Sequence, residues 1–445
     1  MKPDNKNKNL INEFTPFLER PDKVWFLKIS VLFLFIAIGF YAFYVQVKKG
    51  HIVTGMRDHV VWGIYIINFI FFLGLSYAGA LISCIFHLAR IQWGKPLMRM
   101  LEMTATISLV IAPVYILLCI GRVDRLHHLL IYARIQSPIT WDVIAIVTDL
   151  FFCFVFLYFT HIRDFARLRD LPEIKVSRWR KRLYRFLALG YRNTPEQAKY
   201  LNQALDIMAA IIIPTSIIAY SLLAWLFGMN LRPGWHSSIF APYFVLTAVY
   251  SGIALLIVIM WIYRKVYNLE KYITIEHFYY LGFVLIILDL FYGYFTFSEY
   301  ITEWYNSQKT PTLLLYKFFN FSEYGGLFIF SNFIAAFLPL IIIGIPWFRS
   351  VKSITITSAL VIVALWIKRY LIIVPTLETP YIPIQDNRAE WVHYSATWVE
   401  WALTLAGIAT FILFFIFSSK IAPIIPVSAM EDKTKKIKIF YHKKN

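Results

Sequence analysis

The residues most able to do chemistry are acids, histidines and an arginine placed inside or beside long apolar runs. Asp142 and Asp149 are seven residues apart. Two helical turns bring them onto one face. An acid bordering hydrocarbon can gain and release a proton near neutral pH. Arg122 is positioned to pair with Asp142. The plainer reading makes Asp142 a helix N-cap and Asp149 a partner for a neighbouring polar group. His127 and His128 fall close by and could accept a proton, although exposed loop histidines without a role are commoner. His236 follows Pro233-Gly234-Trp235, where an interfacial packing role competes with a functional one. Glu102, Asp206 and Asp289 are candidates for a proton route, with structural pairing the alternative. Glu299 and Glu303, four apart, are expected to line a face for a soluble partner. His87 and His161 raise the thought of bis-histidine haem, but their spacing does not support it. Cys84, Cys119 and Cys153 form no CxxC, so neither an iron–sulfur cluster nor a resident metal is expected.

The elements that position these groups are membrane helices. The chain has 445 residues, 59% hydrophobic and only 16% charged, against about 25% charged in soluble domains. The apolar residues gather in runs long enough to cross about 30 Å of hydrocarbon, where only helices or closed barrels satisfy the backbone. Ten helices are predicted, at 25–46, 61–89, 101–121, 142–162, 204–228, 240–263, 278–298, 327–347, 354–375 and 396–418. The fold class is all-α and integral to the membrane. Its domains are a tail (1–24), helices one to four (25–162), a basic linker (163–203), helices five to ten (204–418) and a second tail (419–445).

The net charge of +18 reads as topology rather than nucleic-acid binding, because Lys and Arg collect on the cytoplasmic side. RDFARLRD and RWRKRLYR in the linker dominate that bias. Both termini and the linker are therefore expected in the cytoplasm. The loops 121–142, 297–323 and 374–393 then face outward, as an extracytoplasmic docking surface. Met1–Lys8 is polar, and the first apolar run starts too late and runs too long for a signal peptide. Helices two to five and six to nine suggest two similar four-helix sets. Tyr77-Ala78-Gly79 and Tyr250-Ser251-Gly252 echo each other across them.

Several stretches, taken together and in order, carry a resemblance. They are Trp62–Ser83, Gly121-Arg122, SPITWD (Ser137–Asp142), PGWHSSIFAPYF (Pro233–Phe244), YFTFSEYITEWYN (Tyr294–Asn306), KRYLIIVPTL (Lys368–Leu377) and WVEWALTLAG (Trp398–Gly407). The chain resembles the NrfD/polysulfide reductase membrane-subunit family. Its ten helices look most like the quinol-oxidising subunit of alternative complex III, or a menaquinone reductase subunit.

The resemblance implies a quinone-reactive subunit of a respiratory oxidoreductase in a bacterial or archaeal cytoplasmic membrane. It implies quinone or quinol as the ligand, with menaquinone expected, and a periplasmic iron–sulfur partner. Through that partner, electrons would reach a molybdopterin enzyme or multihaem cytochrome. Asp142 matches the acidic residue of the family's SPxxWD motif, and Asp149 is its expected relay. Arg122, Tyr77, His236, Cys119 and His128 are expected around the quinone. Cys119, Tyr77 and Tyr220 stand where the alternative complex III pattern has histidines. Tyr77 can still hydrogen-bond a quinone oxygen, whereas Cys119 is a weak donor. A secondary transporter, a haem b anchor and a redox-silent anchor are the competing classes.

Overall fold

A computed structural model describes residues 23–170, 178–382, 392–427 and 429. The N-terminal tail expected at 1–24 lies almost wholly outside them, as do most of the C-terminal tail and part of the outer loop 374–393.

Ten helices are long and apolar enough to cross a membrane. They are α1 (Lys23–Lys49), α2 (Ile64–Leu88), α3 (Lys95–Cys119), α4 (Pro138–Asp170), α6 (Pro195–Gly228), α7 (Phe240–Val266), α8 (Ile275–Asn306), the pair α10–α11 (Gly325–Ala336 and Leu338–Gly344), α12 (Val351–Leu377) and α13 (Trp398–Ile421). Between spans lie the longer helices α5 (Arg178–Leu187) and α9 (Lys309–Phe319), together with short helical turns such as His128–Ile131. No strand occurs among the described residues. The chain is an all-α, multi-pass membrane protein, and each expected span is present.

Proline sets several of the starts. Pro138 and Pro195 open α4 and α6, and Pro96 is the second residue of α3. The first turn has no intrahelical use for the missing N–H, so proline costs nothing there. Thr194 caps α6 by accepting a hydrogen bond from the Gln197 amide at 3.3 Å. Proline inside an apolar run acts differently. Pro339 follows Phe337, where α10 gives way to α11, because its ring and absent donor break the ladder. The sequence had suggested one continuous helix here. Much of the expected linker is also helical: α4 continues to Asp170 and α5 follows the seven residues outside the description.

Packing separates two rings. Helices α2, α3, α4 and α6 each pack on the next and close on themselves; α7, α8, α10–α11 and α12 do the same. The third unit is α1 with α13, which pair and lean on α3. Contact between the rings centres on α2 and α7. There the two echoed motifs meet, since a Cβ placed on Gly252 would collide with Ala78 Cβ. Small residues permit this approach in a membrane, where no hydrophobic force drives helices together. The weak sequence echo thus marks the seam between the halves.

Candidate functional site

A large cavity lies where the first ring opens toward loop 120–129. Its volume is about 580 Å³, within the usual range for small-molecule sites. Its walls are mainly apolar, from Trp62, Phe69, Ile146, Leu223 and Phe227, with Asp142 and Cys119 as the inward polar groups and Arg122 at its edge.

The SPITWD turn explains how Asp142 comes to face this space. Ser137 carbonyl accepts from the Thr140 and Trp141 amides, and Trp141 Nε1 donates to the Ile135 carbonyl. The helix begins at Pro138, which leaves Asp142 inside the first turns and excludes the N-cap reading. Asp142 is only 5% exposed, and its Oδ1 has no hydrogen-bond partner. A buried polar atom left unsatisfied in this way calls for a ligand, water or proton.

The other expected residues divide. Asp149 is on the same face of α4, deeper and 1% exposed, with Oδ2 unpartnered. Tyr77 lies beside it and within electrostatic reach of Asp142 as well, but its hydroxyl does not meet hydrogen-bond geometry. The Tyr77 ring meets Tyr220 edge-on at 5.4 Å between centroids. Neither tyrosine lines the large cavity; both border a smaller void.

Three expectations need correction. Arg122 does not pair with Asp142: it is exposed and grips Asp124 at 2.9 Å, a nearer acid in the same turn. His128 is exposed and meets His127 and Tyr132 edge-on, while Leu126 and Leu129 of that turn face the cavity. His236 is exposed, 3.5 Å from Glu303. The inward residue of its motif is Trp235, stacked on Trp62 at 6.1 Å and bonded through Nε1 to the Ile372 carbonyl.

Among the proton-route candidates only Glu102 is buried within the same ring. It is 4% exposed and accepts from Thr160 Oγ1 at 2.6 Å. Asp206 is held at the ring's surface by His87 (2.9 Å) and Arg90 (2.6 Å). Asp289 is fully buried but belongs to α8 of the second ring. His161 Nδ1 sits 2.7 Å from the Leu157 carbonyl. Glu299 is not a docking residue: it turns inward with Oε2 unpartnered, bordering a cavity of about 30 Å³ with Glu303 and Trp235.

Two arrangements escaped the sequence reading. One is the ion pair Arg99–Asp164, 2.6 Å apart with side chains 1% and 4% exposed. It completes a buried polar stripe on α4 from Asp142 through Asp149 and Thr160 to Asp164. At 1.5 Å per residue that stripe covers about 33 Å, the thickness of the hydrocarbon core. The other is Lys368, whose Nζ donates to Tyr300 Oη at 2.7 Å and lies over the Tyr243 ring at 5.5 Å. A lysine and arginine in the apolar run ALWIKRYLIIV were the available signal.

Ten spans, a closed first ring and a buried acid at a large apolar cavity define a polytopic helical membrane protein with a candidate ligand site. The family profile described as "Polysulphide reductase, NrfD" matches residues 52–380. The chain belongs to the NrfD family. Relatives include a putative membrane subunit of dimethyl sulfoxide reductase from Halobacterium salinarum, 27% identical over 52% of this chain and 50% of that protein. A selenate reductase subunit of Mesobacillus selenatarsenatis is 22% identical over 52% of this chain and 55% of its own length. The chain spans about half the length of these two curated relatives. The Hdr-like menaquinol oxidoreductase integral membrane subunit of Archaeoglobus fulgidus is 21% identical over 92% of this chain and 95% of that protein.

Proposed function

We propose that this chain is the quinone-interacting membrane subunit of a multisubunit respiratory oxidoreductase. The observation that carries the reading is the unpartnered Asp142 oxygen at an apolar cavity of about 580 Å³. A quinone head group and part of its tail suit such walls, and the ring oxygen supplies the partner that Asp142 lacks. The A. fulgidus relative is by its name a menaquinol oxidoreductase subunit and aligns along nearly the whole chain. That favours menaquinone as the ligand.

Quinol oxidation yields two electrons and two protons. Asp142 Oδ1 accepts the two protons in turn at the cavity, passing the first on before it takes the second. Asp149, on the same helical face, serves as relay, with Tyr77 beside it. Trp62, Phe227 and Ile146 exclude water and hold the ring plane. Cys119 borders the ring edge. Arg122 remains at the mouth, where its pair with Asp124 orders the covering loop. Electrons pass to an iron–sulfur subunit docked on the extracytoplasmic loops, and thence to a molybdopterin enzyme or multihaem cytochrome.

The test is quinol-dependent reduction of the iron–sulfur subunit in the purified complex. Asp142→Asn keeps the volume and removes the proton acceptor. It should slow reduction by about 10²–10⁴-fold, the usual weight of a positioned acid or base. An unchanged rate would remove Asp142 from the mechanism.

A further inference from the structure

At the far end of α4 from Asp142 lies a second large cavity, about 490 Å³, between α5 and the end of α13. Trp179, Leu183, Phe414 and Phe417 supply its apolar wall, and Arg180 and Lys420 are its cationic members. The two sides are fastened together. Tyr184 is 1% exposed; its hydroxyl donates to the Ile421 carbonyl at 3.0 Å and its ring stacks on Phe165 at 6.1 Å. The groove is therefore a built feature and not a chance gap beside a loose helix.

The helix α5 is strongly amphipathic. At 100° per residue, Trp179, Leu183 and Phe186 share one side, while Lys181 and Arg185 lie on the other and Arg182 at its border. Trp179 and Phe186 are 64% and 73% exposed in the bare chain. Large aromatics opposite a cationic face are the pattern of a helix lying in the membrane–water interface. The helix sits on the Lys/Arg-rich side expected to face the cytoplasm, whose leaflet attracts basic segments through its anionic lipids.

We propose that this groove binds one anionic phospholipid, its phosphate ester between Arg180 and Lys420 and an acyl chain along Leu183, Phe414 and Phe417. Charge complementarity selects the head group, and the apolar wall selects a lipid over a soluble phosphate. The site is independent of the quinone reading.

Native mass spectrometry of the full chain with added phosphatidylglycerol or phosphatidylcholine tests it. The wild type should retain one phosphatidylglycerol in preference to phosphatidylcholine, and glycerol phosphate should not displace it. Arg180→Gln with Lys420→Gln should weaken retention by about 30-fold, whereas Arg180→Lys with Lys420→Arg should preserve it. Leu183→Trp, which blocks the chain path and keeps the charge, should also lose the lipid. Thermal melting of each variant in detergent identifies any that misfold. Equal retention of both lipids, displacement by glycerol phosphate, or full retention by a folded double-Gln or Leu183→Trp variant would each overturn the proposal.

Discussion

Gly79→Ala is the smallest change that should damage the first ring. A Cβ at Gly79 would lie 2.7 Å from the Leu101 carbonyl oxygen, 2.9 Å from the Ala105 amide nitrogen and 3.2 Å from Ala105 Cβ. Carbon normally approaches a carbonyl oxygen no closer than about 3.3 Å, so α2 and α3 must part by roughly 0.6 Å. Two of the three obstacles are backbone atoms of α3, which cannot rotate away. Overpacking of this kind costs about 1–3 kcal/mol, and alanine's better helix propensity returns at most about 1. The net expectation is a loss of about 1–2 kcal/mol, measured as heat-induced loss of monodisperse protein in detergent. Adding Ala105→Gly removes one obstacle and leaves the two backbone atoms, so it should recover less than half of the loss. The coupling between the sites is read as a double-mutant cycle. Because Tyr77 is two residues from the wedge, turnover should fall along with stability. A Gly79→Ala protein as stable as wild type, or one fully rescued by Ala105→Gly, would refute the claim that backbone contact sets this helix pair.

Other outcomes follow from the same geometry. Arg99→Gln strands Asp164 in the ring and should cost about 3–5 kcal/mol, with part regained in Arg99→Gln/Asp164→Asn, both read by thermal inactivation. Ile146→Trp fills the large cavity from α4 and should raise KM for quinol by about tenfold, equivalent to 1.4 kcal/mol, in steady-state assays. In a background with Cys84, Cys119 and Cys153 replaced by Ala, Arg125→Cys and Arg192→Cys should react with an impermeant thiol reagent from opposite sides of intact vesicles. Labelling of both from one side would contradict the alternation of spans.

The helices were legible because hydrocarbon leaves the chain few choices. A run of some twenty apolar residues must be helical whatever its neighbours, so the spans around Asn68, Ala112 or Asp289 needed no tertiary information. The break at Pro339 was not read, since an internal proline can kink or stop a helix according to what surrounds it. Among site residues, Asp142 and Asp149 were visible because a seven-residue spacing fixes a shared face. Pairings were less visible. Arg122 had acids at positions 124 and 142 to choose from, and local backbone geometry favoured Asp124. His236 was suggested by its motif and His128 by its nearness to Asp142, but both are exposed, while the adjoining Trp235 and Leu129 turn inward. Arg99–Asp164 joins α3 to α4 across 65 residues, a distance that local patterns do not encode.

The buried charges of the two rings are arranged differently, and that difference bears on which half can exchange protons. In the second ring buried Lys368 lies within electrostatic reach of Glu299, whereas Asp289 is fully buried with both carboxyl oxygens unpartnered and does not border the large cavity. Altering the proton content of Glu299 would unbalance its pairing with Lys368. The first ring encloses Asp142, Asp149, Glu102 and Asp164 with Arg99 as the buried cation, and Arg99 is committed to Asp164 at 2.6 Å. Asp142 and Asp149 consequently have no ion pair to break when a proton arrives or leaves. Burying such acids costs stability, and a sequence retains them in a ring it could have filled with Leu or Val at lower cost. Of these unpaired carboxyls Asp142 meets the large cavity, while the Ala78–Gly252 seam and the Trp62–Trp235 stack lie between the first ring and the second. The proposed proton exchange with a cavity ligand therefore falls to the first ring, whose unpaired Asp142 borders the large cavity. On this argument Asp289→Asn should leave quinol turnover far closer to wild type than Asp149→Asn does.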